Sequence, residues 1–448
     1  MNEHVVQASR VLMGDSLGFH IIFVMLGLTL PILVSWFEWL GIRKKDPKLT
    51  EIARFWSKIM AVLVITGVVS GTVIALQMSL VWPGILKFGG TVIGLPFMFE
   101  TYAFLIEAIF LALYMATWNN KKVSPMLHWV FGLFVILGST LSAFMITAVN
   151  AWMNQPVGFT MVNGELRDIN VWHALFSRTS FIEFFHSMPA YYFAVVLTVA
   201  GCYAFKILRS KKSERLSKKH QYDWMIINKL LVFAAVAFVA TGVMADVTGK
   251  YLAKYEPTKL AAIELNYKDQ THAPFILGGT ADGSGGIDGP HVKIPGALSY
   301  LSGGSTNFEV KGLDSVPKEE QPPLYVHTLF DIKLVIVGIF ALAGVAYVAF
   351  RAWRPKVRKS ALFLVPLSLI GLLAVIEVEL GWMLTEIGRQ PWAVNGYVTT
   401  KEALTKTHDI TAFGYIFPAA FAVLFVVTYF AVRKIVKDHN RSSEGAKK

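Results

Sequence analysis

Apolar residues in this chain neither alternate with polar ones nor recur every three to four positions. They run on in long blocks, and the polar residues are gathered between the blocks. A helix needs roughly 20 mostly apolar residues to cross a bilayer. Nine blocks meet that length, at about 16–41, 56–82, 92–118, 126–152, 179–208, 223–246, 324–350, 361–386 and 410–436. Irregular backbone is excluded from hydrocarbon, so blocks of this length are read as helices. The pattern predicts an all-α, polytopic integral membrane protein with about nine transmembrane helices. The first block starts too late and runs too long for a cleaved leader. Three stretches follow: 1–246 with helices one to six, a polar segment 247–323, and 324–448 with helices seven to nine and a basic tail.

Composition agrees. The chain of 448 residues is 54% hydrophobic and 13% aromatic, with only 16% charged residues. Soluble domains carry about 25% charged residues. The net charge of +12 is not a nucleic-acid signature, because the basic residues cluster in alternate connections. They are Arg43, Lys44, Lys45 and Lys48; Lys121 and Lys122; Arg209 to Lys219; Arg351 to Lys359; and Arg433, Lys434 and Lys437. The positive-inside rule makes these connections cytoplasmic, the N-terminus external and the C-terminus internal. The lone Cys202 offers no disulfide, haem-attachment motif or cysteine metal cluster.

Three carboxylates interrupt the end of the eighth block, Glu377, Glu379 and Glu386, with Arg389 and the tryptophans Trp382 and Trp392 beside them. A carboxylate at membrane depth is costly and is retained for pairing, proton transfer or ligation. An internal ion pair of Glu379 with Arg389 is the plain alternative. Two histidines, His20 and His186, begin or interrupt apolar runs at the depth of Glu379, which favours a metal or haem site. Singly, each reads equally well as a hydrogen-bonded core residue. His4, His220 and His439 lie in terminal or cytoplasmic segments and are expected to be solvated. In the third block Glu100 and Glu107 are seven apart, two turns on one helix face. They look like stations of a proton relay, which Ser142 and Asn150 of the fourth block could extend; a buried structural hydrogen bond is the other reading. In the polar segment, Pro257-Thr258 opens a short helical stretch with Lys259 and Glu264. These two could flank a small polar headgroup, although a solvated surface turn gives the same pattern.

Taken in order, these motifs resemble subunit I of the bd-type quinol oxidases over nearly the whole chain. The resemblance rests on Arg10 and His20, the two-glutamate helix, Asn150-Ala151-Trp152-Met153-Asn154-Gln155-Pro156, and His186. It continues through Lys259-Leu260-Ala261-Ala262-Ile263-Glu264, Glu379-Leu380-Gly381-Trp382 and Gly388-Arg389-Gln390-Pro391-Trp392. It implies oxidation of quinol and reduction of dioxygen to water, without copper and without pumping. Membrane potential would come from proton release outside and uptake from the cytoplasm. It implies two haem b and one haem d, or a third haem b in its place. His186 would be an axial ligand of the haem that accepts electrons from quinol. His20 and Glu379 would serve the oxygen-reducing pair, with Arg10 and Trp382 among the cofactor contacts. Lys259 and Glu264 would belong to the quinol loop, of the short type, and Glu100, Glu107, Ser142, Asn150 and Arg389 to the catalytic and proton-handling set. Expected partners are subunit II, a small single-helix subunit, menaquinol or ubiquinol, dioxygen and the lipid of a bacterial or archaeal cell membrane, with no nucleic acid.

One departure stands out. Where the family has a methionine ligand early in helix seven, this chain has Lys333, and Asp331 stands where an arginine is usual. A neutral lysine amine can ligate iron, because burial lowers its pKa. A five-coordinate haem, a ligand role for His327, and an Asp331–Lys333 charge pair remain the alternatives. Outside the family reading, a proton-coupled transporter or a haem b-only quinone oxidoreductase would also place carboxylates in the membrane. Inverted repeats and paired broken helices, expected of many transporters, are not evident.

Overall fold

The structure, a computed structural model, describes residues 3–353, 360–406 and 410–445. Arg354, Lys356, Arg358 and Lys359 of the fourth basic cluster, and His408, lie outside them. The long helices are α1 (Glu3–Lys44), α2 (Pro47–Val81), α3 (Pro83–Thr117) and α4 (Pro125–Asn154), with α5 (Val171–Leu175) short. They continue with α6 (Arg178–Leu208), α7 (Gln221–Tyr255), the short α8 (Pro257–Ile263) and α9 (Ala297–Gly303), then α10 (Val326–Trp353), α11 (Ala361–Ile387), a one-turn α12 (Thr400–Ala403) and α13 (Ile410–Gly445). Nine helical segments among the described residues are long and apolar enough to cross a membrane.

The helices outrun the apolar blocks because helix signals continue into polar sequence. Pro47 and Pro83 occupy first-turn positions, where a missing N–H costs nothing. The Asp46 side chain caps α2 through the Lys48 amide. Past the sixth apolar block, Lys250 pairs with Asp246 one turn back at 2.6 Å, and α7 runs on to Tyr255, where Pro257 opens α8. Among the described residues three two-stranded antiparallel hairpins complete the fold: β1 (Thr160–Val162) with β2 (Glu165–Arg167), β3 (Phe275–Ala281) with β4 (Ile287–Ile294), and β5 (Trp392–Val394) with β6 (Val398–Thr399).

The chain divides into two compact units. The first holds residues 1–152, 156–180 and 400–448. In it α1 packs along α2, and α13 lies against both. Small residues allow close approach: a Cβ on Gly89 would stand 2.5 Å from the buried Trp152 ring, and one on Gly138 would stand 2.7 Å from the Glu107 backbone. Lipid supplies no hydrophobic drive between helices, so such contacts carry much of the association.

The second unit holds residues 153–155 and 181–399. Gly371 of α11 lies against the Thr198 backbone of α6, and α10 packs beside α11. Val232, Val236, Val239 and Val243 form an exposed stripe on α7, as a lipid-facing side requires. The polar segment 247–323 is folded on this unit: α8 and α9 lie on α7, and β3 lies on α10.

Candidate functional site

In the first unit, α1, α2, α3 and α4 enclose a cavity of about 60 Å³. His20, Glu100, Glu107, Ser139 and Ser142 line it, among apolar residues such as Phe23, Val64 and Phe104. Helical periodicity puts both glutamates on one face of α3, and both reach this wall. His20 is half-buried. Its Nδ1 is fixed by the Ser70 hydroxyl at 2.8 Å, and Gly71 leaves room for the ring edge, a Cβ there falling 3.0 Å from Cε1. Ser142 is buried and Asn150 half-buried on α4. Arg10 lies ten residues before His20 on α1, half-buried.

In the second unit, His186 of α6 is half-buried, with a buried Nδ1 that has no hydrogen-bond partner. Glu379 of α11 also has a buried Oε1 without a partner. Glu379 does not pair with Arg389, whose guanidinium bonds Glu386 at 2.7 Å and Asn154 at 3.3 Å. Trp382 donates to the Tyr191 hydroxyl at 2.7 Å, which locks the aromatic wall beside Glu379.

The Asp331–Lys333 pair expected as one alternative does not form. Lys333 forms a salt bridge with Glu377. Asp331 accepts from the Gly278 amide at 2.8 Å and stands 3.3 Å from His327. His327, fully buried, spends its nitrogens on the carbonyls of Ile263 at 2.7 Å and Gly278 at 3.2 Å. Both exchanges follow from helix geometry: residues two apart face different sides, and residues four apart share one.

Lys259 and Glu264, read as flanking one headgroup, point into separate surroundings. Lys259 is buried; it pairs with Glu256 and donates to Asn154 at 3.2 Å. Asn154 is the hub of a network that sequence reasoning missed. It also donates to Glu183 at 2.8 Å and accepts from Arg389 and, through its backbone carbonyl, from Asn395. Two cations thus meet the three acids Glu183, Glu256 and Glu386. The only local signal was Glu183, one turn before His186; the other partners are scattered along the chain. Glu264 is buried against the opposite side of α8. Burial first, and then the nearby Asp331 charge, push its carboxyl up to about 8. His220, expected to be solvated, is instead buried against Asp223 at 2.7 Å. A polar stretch of sequence does not reveal which of its residues turns inward.

A bare metal ion has no home here: among the described residues no three His, Cys, Asp or Glu side chains are grouped to hold one. A macrocycle supplies its own in-plane donors and asks the protein only for axial ones. Single donors with a buried, unpartnered atom, as in His186 and Glu379, in half-open aromatic surroundings, fit that demand. His20, held at one nitrogen by Ser70, fits it too. Lys333, engaged by Glu377, does not.

The fold and these sites define a multi-pass helical membrane protein with axial-type donors and buried acids. The family described as cytochrome bd terminal oxidase subunit I matches residues 8–440, and the chain belongs to that haem-containing family. A putative cytochrome bd menaquinol oxidase subunit I of Bacillus subtilis is 31% identical over 96% of both chains. A cytochrome bd ubiquinol oxidase subunit 1 of the same organism is 27% identical, over 94% of this chain and 90% of that one. The solved bd oxidase from Geobacillus thermodenitrificans matches with a TM-score of 0.89 at 34% identity, covering 98% of this chain and all of that one.

Proposed function

We propose that this chain is the haem-bearing subunit of a respiratory quinol oxidase. It oxidises quinol at the outer face and reduces dioxygen to water, drawing protons from the cytoplasm and building a membrane potential without pumping. The observation that carries the reading is the cavity where His20 meets Glu100 and Glu107. An axial-type donor and two ionisable groups then share one space, as a reaction consuming both electrons and protons requires.

His186, His20 and Glu379 would hold the haems, two of b type and a third of d or b type. When bound, these supply electron transfer and the binding of oxygen. The chain's own residues do the rest. Arg10, almost three turns before His20 on α1, and Trp382, one turn after Glu379 on α11, would contact the cofactors. Glu107 would receive a proton from the inner side and Glu100 pass it on, with Ser142 and Asn150 extending the hydrogen-bonded line. Arg389, gripped by Glu386 and Asn154, holds the turn after α11 rigid.

Quinol would bind at the α8 segment. The carboxyl of Glu264, held up to about 8, sits largely protonated at neutral pH. It can exchange a proton with a quinol hydroxyl without carrying a buried charge for long. Lys259, tied to Glu256 and Asn154, fixes α8 in place. The gathering of basic residues in alternate connections supports an external N-terminus and a cytoplasmic C-terminus. A second subunit, a small single-helix subunit and a bacterial or archaeal cell membrane complete the picture.

The test is the purified complex in liposomes, given quinol. Oxygen consumption with a membrane potential, internal alkalinisation when the cytoplasmic face is inside, and a reduced-minus-oxidised spectrum with b bands and a far-red chlorin band are expected. A spectrum with b bands alone and no oxygen uptake would turn the reading toward a b-only quinone oxidoreductase.

A further inference from the structure

The acid ladder of α3 does not stop at Glu107. Seven residues on, the same face presents Tyr114, fully buried near the end of the helix. Its hydroxyl donates to Glu38 Oε2 of α1 at 2.6 Å. The other oxygen of Glu38 meets His128 Nδ1 of α4 at 2.6 Å, and His128 Nε2 lies 3.0 Å from the Tyr114 carbonyl. Glu38 is 2% exposed and His128 5%. The rings of Tyr114 and Trp118 each lie 4.3 Å from the imidazole and seal it. Glu38, Tyr114 and His128 are the titratable groups in this cluster; Trp118, Trp129 and Ser35 complete its wall.

Hydrogen-bond chemistry fixes the proton count. A carbonyl only accepts, so Nε2 must carry a hydrogen. The phenol donates to Glu38, so Oε2 carries none. One proton then lies between Oε1 and Nδ1, on either atom. Without it, two lone pairs would face each other in a site closed to water, which strongly favours recapture.

Position supplies the rest. The three residues sit within two turns of the helix ends that carry the basic connections of Arg43 to Lys45 and of Lys121 and Lys122. Toward Glu107, the Ser35 hydroxyl is buried without a partner, in a small gap lined also by Tyr114, Gly132 and Val135. Farther along α4, Ser139 and Ser142 both line the cavity that Glu107 lines.

We propose that Glu38, His128 and Tyr114 form the proton-loading station that feeds Glu107. A proton from the inner side occupies the Glu38–His128 pair. It leaves by way of the Tyr114 and Ser35 hydroxyls toward Glu107, and the next proton from the inner side replaces it. No electron moves in this step. The inference rests on the inward proton path proposed above.

The experiment uses the complete purified oxidase, fully reduced and given a pulse of oxygen, with a pH dye reporting proton uptake. Glu38→Gln keeps shape and hydrogen bonding while removing the shared proton. Uptake should slow about tenfold or more, while quinol-driven haem reduction keeps its rate. An infrared carboxyl band present in the wild type should vanish from the reduced-minus-oxidised difference spectrum. If Glu38→Gln fails to assemble, His128→Gln is judged by the same uptake criterion. Wild-type uptake in the assembled variant, with Glu107→Gln slow, overturns the station alone. Wild-type uptake in Glu107→Gln as well overturns the whole inward path.

Discussion

Lys333 reaches across to Glu377 on the neighbouring helix and leaves Asp331, two residues ahead of it, to the amide of Gly278. A charge pair this deep is weak evidence of net stabilisation, yet removing one partner strands the other. Lys333→Met should therefore destabilise the subunit by about 3–5 kcal/mol. The double change Lys333→Met with Glu377→Gln should recover most of that loss. Thermal unfolding of the purified complex checks both. A Lys333→Met protein as stable as the wild type would show that the pair carries no such burden.

His186→Ala should remove one haem and leave the others, because each macrocycle depends on its own axial donor. The loss is read as missing b bands in the reduced-minus-oxidised spectrum, with a pyridine haemochrome count falling by one. Three unaltered haem spectra would disprove the assignment.

Glu264 links the polar segment 247–323 to pH. Its folded value is raised from the ordinary 4.5 to about 8. The stability it contributes is complete below the ordinary value and is lost as pH rises through about 8. The effect is on the order of a few kcal/mol for a shift of this size. Hydrogen exchange in α8, corrected for its intrinsic base catalysis, should accelerate between about pH 4.5 and 8 and level off above. In Glu264→Gln the acceleration should disappear, since that side chain stays neutral throughout.

Asn154→Ala should loosen the network around α8. It removes bonds to Lys259, Arg389 and Glu183 together, and unmade bonds to charged groups cost about 1.5–3 kcal/mol each. We expect a lower unfolding temperature and a raised KM for quinol, with the haem spectrum unchanged. Asn154→Asp keeps two acceptor oxygens for the cations but loses the donor to Glu183, so it should fall between.

Much of this was legible in sequence because the bilayer imposes one length on every crossing. The nine runs, the shared face of Glu100 and Glu107 and the short helix at Pro257 all follow from local periodicity. What stayed hidden is pairing at long range. Nothing near Asn154 announces Lys259 or Arg389, which meet it from more than a hundred and more than two hundred positions away. The Glu38–His128 bond likewise joins residues on different helices. Periodicity gives the face of a helix but not the neighbour that the face meets. The hairpin of β3 and β4 escaped notice for another reason. Its glycines Gly278, Gly279 and Gly289, all at positive φ, read as loop until a partner strand is supplied.

The closing of α13 on α1 and α2 sets an order of assembly. A ribosome releases the first four helices long before it makes the last one. The unit containing His20 must therefore wait, incomplete, through the synthesis of more than two hundred residues, while every helix of the other unit has already appeared. Domains generally fold as units during synthesis. The His186 half can mature first, and the His20 half is sealed only once α13 has been made. A truncation before residue 400 should then leave a membrane-inserted chain whose second unit resists protease and whose first does not.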